Sequence, residues 1–164
     1  MRRSLLVLPL LLLVGCASSA PLTPVAPQAE TVPRANKMVV RTSDTPDEAY
    51  RRLGQLLIQR GYTLQNSDAT LRSLSTDFRD VGGSRMSINA FVNEVGGQTQ
   101  VEMKGRLQLG VNVGQALGGA AMREDASQMV EQRGMSGSPF DRTFRELEAT
   151  ARAYPSGTVL YARD

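Results

Sequence analysis

Between residues 84 and 108 the chain alternates apolar and polar side chains with a period of two, and a Gly96-Gly97 pair interrupts the pattern midway. Met86, Ile88, Ala90 and Val92 share one parity, and Ser87, Asn89, Phe91 and Asn93 the other. Beyond the glycines, Val101, Met103, Gly105 and Leu107 alternate with Glu102, Lys104 and Arg106. That period fits strands with one face in a core and one in water. Gly-Gly between two such runs is the chemistry of a tight antiparallel hairpin. Antiparallel sheet is therefore the frame to which the rest of the chain must attach.

Further strands are predicted at Met38-Val39-Val40-Arg41, at Tyr62-Thr63-Leu64-Gln65 and where Leu74, Thr76 and Phe78 alternate with polar residues. Turns are expected at Asn66-Ser67-Asp68 and at Gly82-Gly83. Two stretches change to helical spacing. Thr45-Pro46-Asp47-Glu48 combines an N-cap, Pro at the first helical position and the Glu of a capping box. Ala49, Tyr50, Leu53, Leu56, Leu57 and Arg60 follow as one stripe until Gly61, which predicts a helix over 46–60. Ser138-Pro139 opens a second helix with the stripe Phe140, Phe144, Leu147, Ala151 and Tyr154. Its Arg142, Arg145, Glu146, Glu148 and Arg152 are expected to face water. Pro155-Ser156-Gly157 ends it, and Thr158-Val159-Leu160-Tyr161 reads as a closing strand.

The predicted fold class is α+β in two layers: an antiparallel sheet of about five to six strands with two helices packed on one face, in the order β-α-β-β-β-β-α-β. Residues 37–164 would form this single domain. Its topology is loosely similar to the helix-grip domains of small envelope lipoproteins, such as those of the β-barrel assembly machinery. Residues 108–134 break the pattern with Gly110, Gly114, Gly118 and Gly119. Their spacing of small residues suits helix contacts in membranes, but Asn112, Gln115 and the short apolar run argue against spanning. A flexible excursion with a short helix near 123–132 is expected. No Lys-Ser/Thr follows the glycines, so a phosphate-binding loop is not.

Chemistry is scarce. The 164 residues include no His and no Trp, and Cys16 is the sole cysteine, which removes His-dependent triads, His metal sites and internal disulfides. Acid–base work would fall to carboxylates, Lys or Tyr. Asp77 and Asp80 at a strand end and Glu94 in a hairpin turn make a conceivable hydrolytic set. Eight aromatics leave little for a sugar-stacking cleft, and these acids are read instead as solvated turn residues. Lys37 or Lys104 with Ser84, Ser87 or Ser136 would be the parts of a Ser–Lys pair, without a motif to specify one. Met122, Met129 and Met135 could serve an adaptable surface, but they are read as ordinary gap-fillers, and their spacing fixes no metal geometry. No catalytic, cofactor or metal residue is assigned.

The N-terminus is more explicit. Arg2 and Arg3 precede an apolar run from Leu5 to Val14, too short to span a bilayer and interrupted by Pro9. These are the parts of a secretory signal over residues 1–15. Leu13-Val14-Gly15-Cys16 resembles the lipobox of bacterial lipoproteins at every position. The resemblance implies cleavage between Gly15 and Cys16 and a diacylglycerol on the Cys16 sulfur. Residue Ala17, where an Asp would retain a lipoprotein in the inner membrane, favours the outer membrane. Two or three acyl chains make a stable anchor where one is marginal.

Prolines at 21, 24, 27 and 33 make residues 16–36 a lipidated N-terminus and tether, with neither helix nor sheet expected. Twenty such residues reach roughly 60 Å. Removal of Arg2 and Arg3 lowers the basic count from 19 to 17 against 16 acidic residues, a net charge of +1. That near-neutrality gives no footprint for nucleic acid. The expected function is a membrane-anchored, non-enzymatic scaffold or binding module of the cell envelope, meeting an envelope protein. A carrier of a small apolar ligand and a carboxylate-dependent hydrolase are the alternatives.

Overall fold

The computed structural model describes residues 25–109 and 127–164. The signal segment, Gly15, Cys16, residues 17–24 of the tether and most of the glycine-rich stretch lie outside them.

The period-two segment forms the centre of the molecule. Strands β6 (Ser84–Val95) and β7 (Gln98–Gln108) pair antiparallel from Val95↔Gln98 to Arg85↔Gln108. Gly96 and Gly97 make the two-residue turn at φ of 60° and 75°, a left-handed pair that L side chains resist. On the β7 side lies β2 (Lys37–Thr42), then β9 (Thr158–Arg163), with β1 (Val25–Gln28) at the edge. On the β6 side lie β4 (Ser73–Thr76) and β3 (Leu64–Asp68). Two three-residue strands lengthen the hairpin's open end, β5 (Arg79–Val81) on β6 and β8 (Ser127–Met129) on β7. All these neighbours run antiparallel.

Among the described residues two helices join this sheet, α1 (Pro46–Gln59) and α2 (Pro139–Arg152). Both start as their sequences dictate. The Thr45 hydroxyl accepts the amide of Glu48 at 3.4 Å, and the Ser138 hydroxyl accepts that of Asp141 at 3.2 Å. The capping box is only half used, because the Glu48 carboxylate turns instead to Arg52 at 2.6 Å. Ala49, Leu53, Leu56 and Leu57 of α1 and Phe144, Leu147 and Ala151 of α2 join one core with Met38, Val40, Met86, Ile88, Ala90, Val92, Val101, Met103 and Leu107. Full burial of each Leu, Ile, Val or Met side chain among them stabilises the fold by about 1.5–3 kcal/mol. Thr143 and Thr150 are also buried in α2, their hydroxyls donating to the carbonyls of Pro139 and Glu146 at 2.8 and 2.9 Å.

The sheet has nine strands rather than five or six, since β1, β5 and β8 are too short or too irregular to signal themselves. The prolines do not keep all of residues 16–36 out of the sheet. Pro27 sits in β1, whose outer position demands no amide from it. Val32 and Ala35 are buried in the main core, so folded structure begins well before Lys37. Nor is Asn66-Ser67-Asp68 a turn. Those residues finish β3, and the Asp68 carboxylate accepts the amides of Thr70 and Leu71, each at 2.9 Å, to build the turn after itself. Within the region expected to hold a short helix, residues 127–129 are strand β8 and Val130 is fully buried.

Gly105 is what admits Val130. A Cβ at position 105 would lie 2.9 Å from Val130 Cβ and Cγ2 and 3.0 Å from Met86 Cε. Gly105→Ala is expected to cost about 1–3 kcal/mol through overpacking. Urea unfolding measures it, and an unchanged midpoint would show that Val130 does not sit there.

Candidate functional site

Among the described residues, three of the places where polar side chains gather bear on the candidate sites. The first is an open cleft of about 420 Å³ at the closed end of the hairpin, lined by Thr42, Ser43, Asp44, Gly97, Gln98 and Thr99. The β2–α1 connection supplies one wall and the two-glycine turn the other. Asp44 is held on two sides: the Tyr154 hydroxyl donates to it at 2.8 Å and Arg52 Nε lies 3.6 Å away. Its own amide donates to Thr42 Oγ1 at 3.2 Å. Burial, reinforced by Asp44, raises the Tyr154 hydroxyl above its ordinary range and keeps it a donor. Such a cleft offers fixed hydrogen-bonding groups to a polar ligand or chain.

The second constellation ties α1, β5 and α2 together at the opposite end. Glu146 accepts Arg60 Nη2 at 2.9 and 3.0 Å, Arg79 Nη2 at 2.8 Å and the Tyr62 hydroxyl at 3.4 Å. Arg79 also donates to the carbonyl of Arg60 at 2.5 Å and stacks 4.5 Å from the centre of the Tyr62 ring. Glu146 is thus turned inward, with 16% of its side chain exposed, against the outward position its sequence suggests. Two guanidiniums share this carboxylate, which suits a lock between elements better than an acid or base.

Burial, and then the neighbouring Glu146 carboxylate, push the Tyr62 hydroxyl up to about 12. The folded state therefore holds this proton more tightly than the unfolded chain, where the value is 10.0. The associated stability is complete below pH 10 and is lost as the pH rises to about 12, a fall of about 2–3 kcal/mol. Denaturant unfolding across that window should show the fall in the wild type and a shallower one in Tyr62→Phe. An equally steep fall in the variant contradicts the assignment to Tyr62.

The third constellation gathers the two lysines. Lys37 Nζ lies 2.9 Å from Asp164 and 3.5 Å from Glu102, and Lys104 pairs with the same Asp164. Burial works against the charge on Lys37, but its bond to Asp164 and the field of Glu102 outweigh it and raise the ammonium above its ordinary value. Both lysines are cations in ion pairs, so a Ser–Lys base is not assembled here. The carboxylates proposed for hydrolysis do not converge either. Asp80 lies opposite Arg85 at the start of β6, while Glu94 lies opposite Thr99 at its far end. Nine residues of strand separate those levels by about 30 Å, several times what paired glycosidase carboxylates span. Asp77 and Asp80 are both exposed. Of the surface methionines, Met129 and Met135 are exposed and Met122 lies outside the described residues.

Among the described residues no cluster of three or more Asp, Glu, His or Cys is placed to hold a metal ion, and no helix is long and apolar enough to cross a membrane. No protein-family model matches the chain, and no curated protein sequence matches it.

Proposed function

We propose that the chain is a lipid-anchored protein of the bacterial envelope, favouring the outer membrane, whose folded domain binds a partner rather than transforming a substrate. The observation that carries this reading is the sequence Leu13-Val14-Gly15-Cys16 behind a basic and apolar leader, with no other cysteine in the chain. The domain's chemistry is in keeping with it: most of the clustered acids and bases described above are committed to each other, and the open cleft beside Asp44 presents hydrogen-bonding groups. The cleft is the binding surface for an envelope protein, taken as a polar segment laid between Ser43 and Gln98.

A photo-crosslinking residue at Gln98, in cells fractionated into inner and outer membranes, tests both halves. The expected result is a single adduct of defined mass in the outer-membrane fraction, absent when the same residue is placed at Gln65 on β3. Recovery of the protein in the soluble envelope fraction, or identical adducts from both positions, would contradict the proposal.

A further inference from the structure

Val25, the first described residue, begins the edge strand β1 beside Arg163 of β9. On the reading of Cys16 as the acylated N-terminus, on which this inference rests, only residues 17–24 separate the lipid from the sheet. Eight residues span at most about 28 Å however they are arranged. The strand β6 alone is twelve residues long, about 40 Å. The leash therefore joins one end of the domain and keeps that end close to the bilayer.

The same end carries exposed arginines. Along the sheet, the levels of Arg163 and Lys37 are followed on β7 by Arg106 and, opposite Gln108, by Arg85. Arg142 reaches from the first turns of α2 to the β5–β6 turn, where its Cδ would touch any Cβ added to Gly82 at 3.0 Å. Arg85 bonds only weakly at 3.4 Å, to the Gln108 side chain and the Phe78 carbonyl. Arg106 donates to the Ser127 hydroxyl at 2.6 Å, and Arg142 to the Gly137 carbonyl at 2.5 Å. Among the described residues, none of these three guanidiniums has a carboxylate within ion-pair distance. Two acids of this end are engaged elsewhere: Asp80 takes the Gly83 amide, while Asp141 takes the Gly137 amide and Arg145. Met129, paired opposite Arg106, and Met135 add exposed apolar surface, the latter at 84%.

At the far end Arg52 meets Asp44 and Glu48, and Arg72 meets Asp47. At the leash end Arg60 and Arg79 are paired to Glu146 and Arg145 to Asp141, whereas Arg85, Arg106 and Arg142 are exposed and have no such pair among the described residues.

We propose that the end bearing Arg85, Arg106 and Arg142 seats on the anionic phospholipid headgroups of the leaflet that holds the acyl chains, with the Asp44 cleft facing away. Guanidiniums are suited to phosphate through paired N–H donors. A short leash holds the headgroups at high effective concentration, so contacts too weak to recruit a free domain suffice to orient a tethered one.

The test uses the full acylated protein in vesicles of phosphatidylcholine, with and without phosphatidylglycerol, carrying a headgroup energy-transfer acceptor. A donor is attached through Met135→Cys or Val95→Cys, one at each end. With phosphatidylglycerol present, transfer from position 135 should exceed that from position 95 by about twofold or more, and the difference should shrink in pure phosphatidylcholine and at high salt. Arg85→Glu/Arg106→Glu/Arg142→Glu should abolish it; if that variant does not fold, the salt and lipid arms on the native sequence decide. Equal transfer from both positions, greater transfer from 95, or a difference indifferent to phosphatidylglycerol and salt overturns the proposal. Intact mass on the same samples separates the two readings. An acylated Cys16 with equal transfer refutes the orientation alone, whereas a bare Cys16 refutes the anchor beneath it.

Discussion

Glu146→Ala is expected to destabilise the domain by about 2–4 kcal/mol, near the lower part of the range for breaking a buried ion pair because both arginines keep about a third of their side chains exposed. The variant strands two like charges against each other, and among the described residues Arg60 Nε and Arg79 Nε are already buried without hydrogen-bond partners. It also removes the oxygen acceptor for Tyr62, leaving only Met86 Sδ at 4.0 Å. Glu146→Gln keeps an acceptor without the charge and should lose less. The combination Arg79→Met/Glu146→Leu should recover much of the loss, since an apolar contact replaces a desolvated pair. Equilibrium urea unfolding of the four proteins measures this. A Glu146→Ala variant as stable as the wild type would mean that the cluster is a solvated surface group.

Cys16→Ser should have the other large effect, on location rather than stability. Without the thiol there is no acceptor for the diacylglycerol, so the precursor should retain residues 1–15, incorporate no labelled fatty acid and leave the envelope membrane fraction it otherwise occupies. The fold should be unaffected, because the described core begins at Val32. Unfolding of the Ser variant at the wild-type midpoint is therefore the matching control. Acyl labelling that survives the substitution would contradict the assignment.

Much of the fold is legible where a long periodic signal exists. The β6–β7 hairpin follows from strict alternation around two glycines, and both helices follow from a cap, a proline and a stripe. The additions come from shorter signals. Strands β5 and β8 are three residues each, and they exist because the hairpin extends past β2 and β4 and leaves ladder positions to fill. Strand β1 was masked by Pro27, which reads as a breaker until its place at the sheet edge is known. The turn after β3 falls later than expected because Asp68 acts through its side chain on the residues beyond it.

Sites were less legible than elements. Glu146 looks like any exposed helical acid, and its inward turn depends on Arg60 and Arg79 arriving from 86 and 67 residues away. Arg60, flanking the α1 stripe at its last turn, was the one signal that a partner was needed. The Asp44 cleft unites the β2–α1 connection, the β6–β7 turn and Tyr154, which no local pattern relates. Conversely, Glu94 and Asp80 look close in sequence, but each strand residue between them adds about 3.4 Å.

Intact mass of the exported protein tests the central claim most directly. The account predicts a chain that begins at Cys16 and carries the added mass of a diacylglycerol, with or without a further amide-linked acyl chain. A mature chain with an unmodified Cys16 sulfur, or one cleaved at another bond, would contradict it.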